Sequence, residues 1–188
     1  MKTLIFNGSP RKNGDTISLI SKIESLLEGE CKVLDAYSCD ISACIDCRCC
    51  HKADGCCIND GWKALDEYIR SCDNIIIASP IYFSELTGQL LAITSRLQSY
   101  WISRHFRENE LIPKKKFGGI ILVGGGDGHM STPIETATCL LKHMNTKTIF
   151  EPICYHETEI RSPIEDQSTL EKIDQLAVLL NENYQSQK

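Results

Sequence analysis

Seven of the 11 cysteines in this 188-residue chain fall between Cys39 and Cys57. Within that stretch the spacing Cys44-x2-Cys47-x2-Cys50-x5-Cys56 places four thiolates in 13 residues. So short a segment can wrap a [4Fe-4S] cube, because closely spaced cysteines need little chain to reach adjacent irons. Cys49 and Cys57 adjoin two of these positions, so the ligand register can slip by one residue. Four thiolates also suit tetrahedral zinc, although structural zinc sites usually use two well-separated ligand pairs. A loop of free thiols is the third reading. His51 is a further candidate ligand, but four thiolates suffice without it. Cys31, Cys72, Cys139 and Cys154 lie in or beside expected strands and helices, where packing is the expected role. The sequence leaves Cys39 undecided.

A second kind of chemistry is written at Gly8-Ser9-Pro10-Arg11-Lys12-Asn13-Gly14-Asp15-Thr16. Hydroxyls, backbone amides and one arginine ahead of a helix are what a phosphate dianion needs: oriented N–H donors, the positive end of a helix dipole and a charged partner. The competing reading is an ordinary turn capped by Asp15 or Thr16. The segment is not GxxxxGK followed by Ser or Thr, and it lacks GxGxxG, so neither a nucleoside-triphosphate loop nor a Rossmann dinucleotide site is indicated. Further along, Ser79 to Gln89 offers Tyr82 and Phe83 to flank a flat ring or simply to cover the core. Gly124 to Gly128 lets backbone approach a ligand closely, and His129 follows it. Tyr100, Trp101 and Phe106 could line an interface, although aromatics at helical spacing more often pack in a core. No hydrolytic triad or paired-carboxylate site is present.

The elements that must position these loops are short apolar strands alternating with amphipathic helices. Strands are expected at Thr3–Phe6, Lys32–Ala36, Ile75–Ala78, Phe117–Val123 and Thr146–Ile153. Helices are expected at about 16–28 and 61–72, through Leu90, Ile93, Leu97 and Trp101, from a Thr132 cap with Pro133 and Glu135 behind it, and through Leu170 to Leu180. Alternation implies a parallel sheet covered on both faces. Five strands suit an α/β, flavodoxin-like three-layer sandwich of order 2-1-3-4-5, with its ligand beyond the carboxyl ends of the strands. The expectation is one domain over residues 1–188, carrying a Cys-rich loop at about 39–60.

Composition narrows the function classes. The net charge is −5, and Lys114, Lys115 and Lys116, the only basic run, read as a solvated loop, so nucleic acid is not an expected partner. The longest apolar runs are far short of a membrane span. The cysteine density lies below that of a small disulfide scaffold, and the thiols are concentrated rather than spread as staples. With Met1 leading straight into an apolar strand, a cytoplasmic chain with reduced thiols is expected.

GSPRKNGDT, SPIYFSELTGQL and the intervening CIDCRCCHKADGC together resemble the NADPH-dependent FMN reductase superfamily, specifically its iron–sulfur flavoprotein branch. The resemblance implies that Ser9, Arg11, Asn13 and Thr16 hold an FMN phosphate. It implies that Pro80, Ile81, Tyr82 and Phe83 contact the flavin ring, and that Gly124, Gly125 and Gly126 line its other edge. Its register favours Cys50 and Cys56, beside Cys44 and Cys47, as ligands of a [4Fe-4S] cluster. Position 15 is usually Asn in this pattern, and Asp15 puts a carboxylate beside a phosphate. The implied function is FMN-dependent oxidoreduction and electron transfer by a homodimer or homotetramer, with NAD(P)H or a ferredoxin-like protein as electron donor. The alternatives are an NAD(P)H-dependent FMN or quinone reductase without a cluster, and a thiol or zinc redox sensor on the same scaffold.

Overall fold

A computed structural model describes residues 1–126 and 128–185. The strands are β1 (Lys2–Asn7), β2 (Glu30–Asp35), β3 (Asn74–Pro80), β4 (Lys116–Val123), β5 (Thr146–Ile149) and β6 (Ile153–Tyr155). The helices are α1 (Asp15–Glu24), α2 (Trp62–Ser71), α3 (Gly88–Thr94), α4 (Gln98–Phe106), α5 (Ser131–His143) and α6 (Gln167–Gln185). Every ladder is parallel, and the order β2-β1-β3-β4-β5 is the one expected from the alternation, with β6 also paired to β4.

The sheet is hydrophobic on both faces, as β-branched central strands require. Leu4, Phe6, Ile75, Ile77, Ile120 and Leu122 point to the side covered by α2, α3, α4 and α5. Ile5, Ile76, Ala78, Ile121 and Val123 point to the opposite side, against Leu19, Ile20 and Ile23 of α1 and Ile173, Leu176 and Leu180 of α6. This period of two within strands and of three to four within helices builds the two cores. Among the described residues no helix is long and apolar enough to cross a membrane.

Four expectations are corrected. The third helix breaks into α3, a 3₁₀ turn at Ser95–Leu97 and α4. There the Thr94 hydroxyl donates to the Leu90 carbonyl (2.7 Å) and the Ser95 hydroxyl to the Ala92 carbonyl (2.5 Å), and such back-bonding bends helices. The fifth strand divides at 150–152, where Pro152 cannot donate to a ladder: β5 pairs with the start of β4 and β6 with its end. Helix α5 starts at Ser131 with no side-chain cap, so the Thr132–Glu135 capping box does not form. The lysine run is not wholly solvated, since Lys116 opens β4 at 1% exposure and donates to the Lys114 carbonyl (3.0 Å).

Gly118 shows how tightly β4 meets β5. A Cβ there would lie 2.7 Å from Thr146 Cγ2 and 3.2 Å from Leu141 Cδ1. Gly118→Ala is therefore expected to cost about 1–3 kcal/mol in urea unfolding. Adding Thr146→Ser, which removes the opposing methyl, recovers part of the loss.

Candidate functional site

Parallel strands end together, so the loops after β1, β3 and β4 meet at one edge. They form an open cleft of about 310 Å³, lined by Ser9, Arg11, Asp15 and Thr16, by Pro80, Ile81 and Tyr82, and by Gly124 and Gly125. It lies where the strand order reverses between β1 and β3, the usual ligand position in such sheets. The Asn7 Oδ1 accepts from the Ser9 amide (2.9 Å), and the Ser9 Oγ accepts from the Arg11 amide (3.2 Å). These two bonds curl the loop ahead of α1. That helix begins behind an extended Gly14 with no side-chain cap, so its first amides are free to face an anion. Among the described residues Arg11 has no carboxylate partner. The donors present therefore fit a phosphate.

Nine of the 12 residues assigned to this cleft are brought together. Asn13 is exposed outside it, as is Gly126, and His129 is exposed and does not line it. Asp15 lines the cleft, with its Oδ1 accepting from the Ser162 hydroxyl (2.7 Å). Phe83 stands fully in solvent at the tip of a tight turn, in which the Tyr82 and Glu85 amides and carbonyls pair (2.9 and 3.1 Å). Phe83 and Ser84 both have positive φ, 53° and 60°, an expensive conformation for side-chain-bearing residues. Tyr82 is 43% exposed, so neither ring merely covers the core. Thr158 and Glu159 complete the cleft without any warning in the sequence; the pairing of β6 to the end of β4 carries them there.

The cysteine loop forms a second cavity, lined by Cys44, Cys47, Cys49, Cys50, Cys56 and Cys57. Its neck is closed by the Gly61 amide donating to the Asp40 carbonyl (2.7 Å), so close that a Cβ on Gly61 would strike the same oxygen. Asp46 and Arg48, on either side of Cys47, take left-handed backbone (φ 49° and 58°). The Cys49 amide first, then the Cys57 and Cys49 thiols, hold the Cys47 thiol below its usual range. The thiol of Cys57, bonded to the sulfurs of Cys49 and Cys47, is pushed up to about 12.

The thiols fall into two overlapping groups. Sulfurs of Cys47, Cys49 and Cys57 lie within 4.8 Å of one another, with Cys47 and Cys57 3.6 Å apart. Cys50 is pushed up first by burial and then by Cys56, Cys44 and Cys47; these four residues of the sequence motif line one cavity, but the sulfurs within 4.8 Å of one another are those of Cys47, Cys49 and Cys57. A donor set of six thiols on one cavity fits an iron–sulfur centre. Of the thiols expected to pack, Cys72 is buried and Cys31 and Cys154 are half-buried, but Cys139 is exposed on α5. Cys39 is half-buried against the core, its thiol 3.7 Å from the Ala36 carbonyl. His51 lines the thiol cavity and meets Phe106 in a tilted ring contact (5.3 Å), and Phe106 also meets Trp101 edge-on (5.4 Å). Tyr100 is core, with its hydroxyl bonded to Asp66.

Residues 1–157 match the NADPH-dependent FMN reductase family. The chain belongs to that family. Among curated proteins, it is 28% identical over 139 residues to an iron–sulfur flavoprotein of Methanocaldococcus jannaschii, covering 72% of this chain and 68% of the relative. It is 30% identical over 128 residues to an iron–sulfur flavoprotein of Methanosarcina thermophila, covering 66% and 64%. A third such flavoprotein, from Archaeoglobus fulgidus, is matched over 56% of its length, so this FMN reductase-family chain spans only part of its relatives. A solved azoreductase of Bacillus anthracis shares the fold at a TM-score of 0.68 with 12% identity, covering 94% of this chain and 98% of the other. A flavone reductase does so at 0.67 with 18% identity, covering 97% and 62%.

In this family member the thiol loop is held by a pair that sequence spacing could not reveal. Arg96, fully buried, pairs with Asp60 through Nη1 (2.8 Å) and Nη2 (3.2 Å). Burial pushes the Asp60 carboxyl up, but Arg96, the Trp62 and Ser42 amides and the Ser42 hydroxyl outweigh it and hold the carboxyl at about 2. A carboxyl depressed in the folded state stabilises above its ordinary 3.8 and loses that contribution as pH falls toward 2. Urea unfolding at pH 5 and pH 3 should thus show native protein losing more stability than Asp60→Asn, which starts weaker and is flatter with pH.

Proposed function

We propose that this chain is an FMN-binding oxidoreductase that couples the flavin to a [4Fe-4S] cluster in electron transfer. The observation that carries the reading is the presence, in one sheet-and-helix scaffold, of an anion-ready cleft at the strand ends and a cavity lined by six thiols between the loop after β2 and α4. Ser9, Arg11, Thr16 and the free amides of α1 would hold the FMN phosphate, with Asn13 at the rim. Pro80, Ile81, Tyr82 and Phe83 would flank the ring on one side, and Gly124, Gly125 and Gly126 on the other. Cys44, Cys47, Cys50 and Cys56 would be the cluster ligands. When bound, FMN exchanges electrons in pairs or singly and an iron–sulfur cluster exchanges them one at a time. Family membership and the names of the iron–sulfur flavoproteins support both cofactors. NAD(P)H or a ferredoxin-like protein would be the donor. A homodimer or homotetramer agrees with Phe83, whose ring stands uncovered beside the cleft.

A second reading is favoured by one observation. A tetrahedral ion with metal–sulfur bonds near 2.3 Å holds its sulfurs about 3.8 Å apart. Cys47, Cys49 and Cys57 approach that spacing, which suits a single zinc ion.

Anaerobic reconstitution with iron, sulfide and FMN separates the two. The proposal expects four irons and four sulfides per chain, lost in Cys47→Ala while FMN absorbance remains. Stoichiometric zinc with no sulfide would replace it with the second reading. Titration with FMN tests the phosphate assignment: Asp15→Asn removes a carboxylate from the cleft while keeping an acceptor for Ser162. It should lower the dissociation constant several-fold, more at low salt than at high.

A further inference from the structure

Arg96 lies in the 3₁₀ turn between α3 and α4, at 1% exposure. Its two Nη groups are spent on the rim of the cysteine loop. They donate to both Asp60 oxygens, to the Ser42 carbonyl (3.0 Å) and, weakly, to the Ile58 carbonyl (3.5 Å). The guanidinium also lies 5.4 Å from the Trp62 ring centroid. These contacts tie both ends of the loop to the helical layer and account for a buried arginine as a clamp. They do not use Nε. That N–H points into the thiol cavity and donates to Cys56 Sγ at 3.2 Å.

A neutral thiol is a weak acceptor, and a buried charged donor is costly to satisfy with one. A thiolate bound to metal is a much better partner, because the bond becomes charge-assisted in a low-dielectric site. Among the described residues the adjacent Cys57 has no such donor: it is exposed, and its sulfur lies within 4.8 Å of those of Cys47 and Cys49. Two neighbouring cysteines therefore differ in kind: one faces a fixed cationic N–H and the other faces solvent.

We propose that Arg96 is a positioning residue that selects Cys56 over Cys57 as a ligand of the iron–sulfur centre and raises the reduction potential of that centre. The inference rests on the cluster reading above. Reduction adds one negative charge, and hydrogen bonds to ligand sulfur favour the more negative state. Asp60 offsets much of the net charge of the guanidinium, so the effect comes from the directed Nε–H rather than from a bare cation. Arg96→Lys keeps a cation for Asp60 but cannot present a planar fork and a third donor together.

The test uses the full chain reconstituted anaerobically with iron, sulfide and FMN. Cys57→Ser should keep the iron and sulfide of the native protein, and Cys56→Ser should lose them. In an electron paramagnetic resonance redox titration, Arg96→Lys should keep its iron but show a more negative midpoint for the iron–sulfur centre. At the native midpoint its oxidised-to-reduced ratio should rise about tenfold, equivalent to about 59 mV for one electron. The FMN midpoints in the same titration should not move, which a general loosening of the fold would not spare. Spin-echo spectra of the reduced protein, carrying ¹⁵N only in its arginine guanidinium groups, should show a coupled arginine nitrogen that persists in Arg48→Lys, which removes the other arginine lining the cavity. That measurement decides the matter even if Arg96→Lys does not fold. An unchanged midpoint in iron-loaded Arg96→Lys, no arginine coupling in native protein, or iron retained by Cys56→Ser and lost by Cys57→Ser would each overturn the proposal. Native protein that takes up no iron and sulfide at all would overturn the cluster reading, and this inference with it.

Discussion

Parallel alignment of the strands is the constraint on which the rest depends. A parallel strand buried on both faces can be entered only from one end and left only at the other, so every strand-to-helix connection emerges at the same edge. β1, β3 and β4 carry near-continuous apolar runs, with Ile75, Ile76, Ile77 and Ala78 fully buried, which fixes them as interior strands. Their loops have no choice but to converge. The cleft is thus a consequence of the hydrophobic pattern, and the polar residues of Ser9 to Thr16 need only be written after β1 to be delivered there. The thiol loop follows β2, at the side of the sheet, and is delivered by the same rule.

That loop faces a different problem. Between Ala36 and Trp62 the chain has few apolar residues to bury; only Ile41 reaches full burial, with Cys39 and Cys56 packed at the edge of the core. A segment this polar cannot order itself by hydrophobic burial against the entropy of fixing its backbone. The buried Arg96–Asp60 pair takes over that role. Desolvating two charges costs several kcal/mol each, and the attraction repays this only with good geometry and satisfied donors. Here both conditions hold: the pair is bidentate, and Ser42, Trp62 and Ile58 take up the remaining bonds. Such a clamp adds little net stability, but it orders the loop in one arrangement, because removing either partner strands the other's charge.

Periodicity read the sheet order and the placement of most elements correctly, since burial on two faces leaves a pattern in the residues themselves. The breaks were harder. The kink after Thr94 arises from hydroxyls bonding their own helix, and the same residue types also occur in straight helices. The split between β5 and β6 follows from Pro152, legible in retrospect but placed inside a β-branched run. At the site, thiol spacing marked the cysteine loop and the hydroxyl-rich segment marked the anion cleft, because both lie close together along the chain. Arg96 is 40 residues from Cys56, and nothing in its local sequence distinguishes it from a surface arginine. The turn at Phe83 and Ser84 was equally silent: a turn with two positive φ values is usually written Asn-Gly, and Phe-Ser carries no such signal.

The two cavities share no lining residue. The cleft is built from the ends of β1, β3 and β4, and the thiol cavity from the loop after β2 together with the 3₁₀ turn and α4. The flavin assignment therefore stands or falls without the cysteines, and the converse holds for the metal. What joins them is mechanical. Arg96 belongs to the same helical layer as Leu90 and Ile93, which pack beneath the sheet, and the Thr87 hydroxyl at the head of that layer donates to the Gly8 carbonyl at the end of β1 (2.8 Å). The anchor of the thiol loop and the start of the anion loop are thus fixed at the two ends of α3, Arg96 in the turn that follows it and Thr87 just before it. Two loops that open different cavities are thereby tied to one stretch of chain, from Thr87 to Arg96, and the spacing between the cavities is set by the scaffold rather than by either loop.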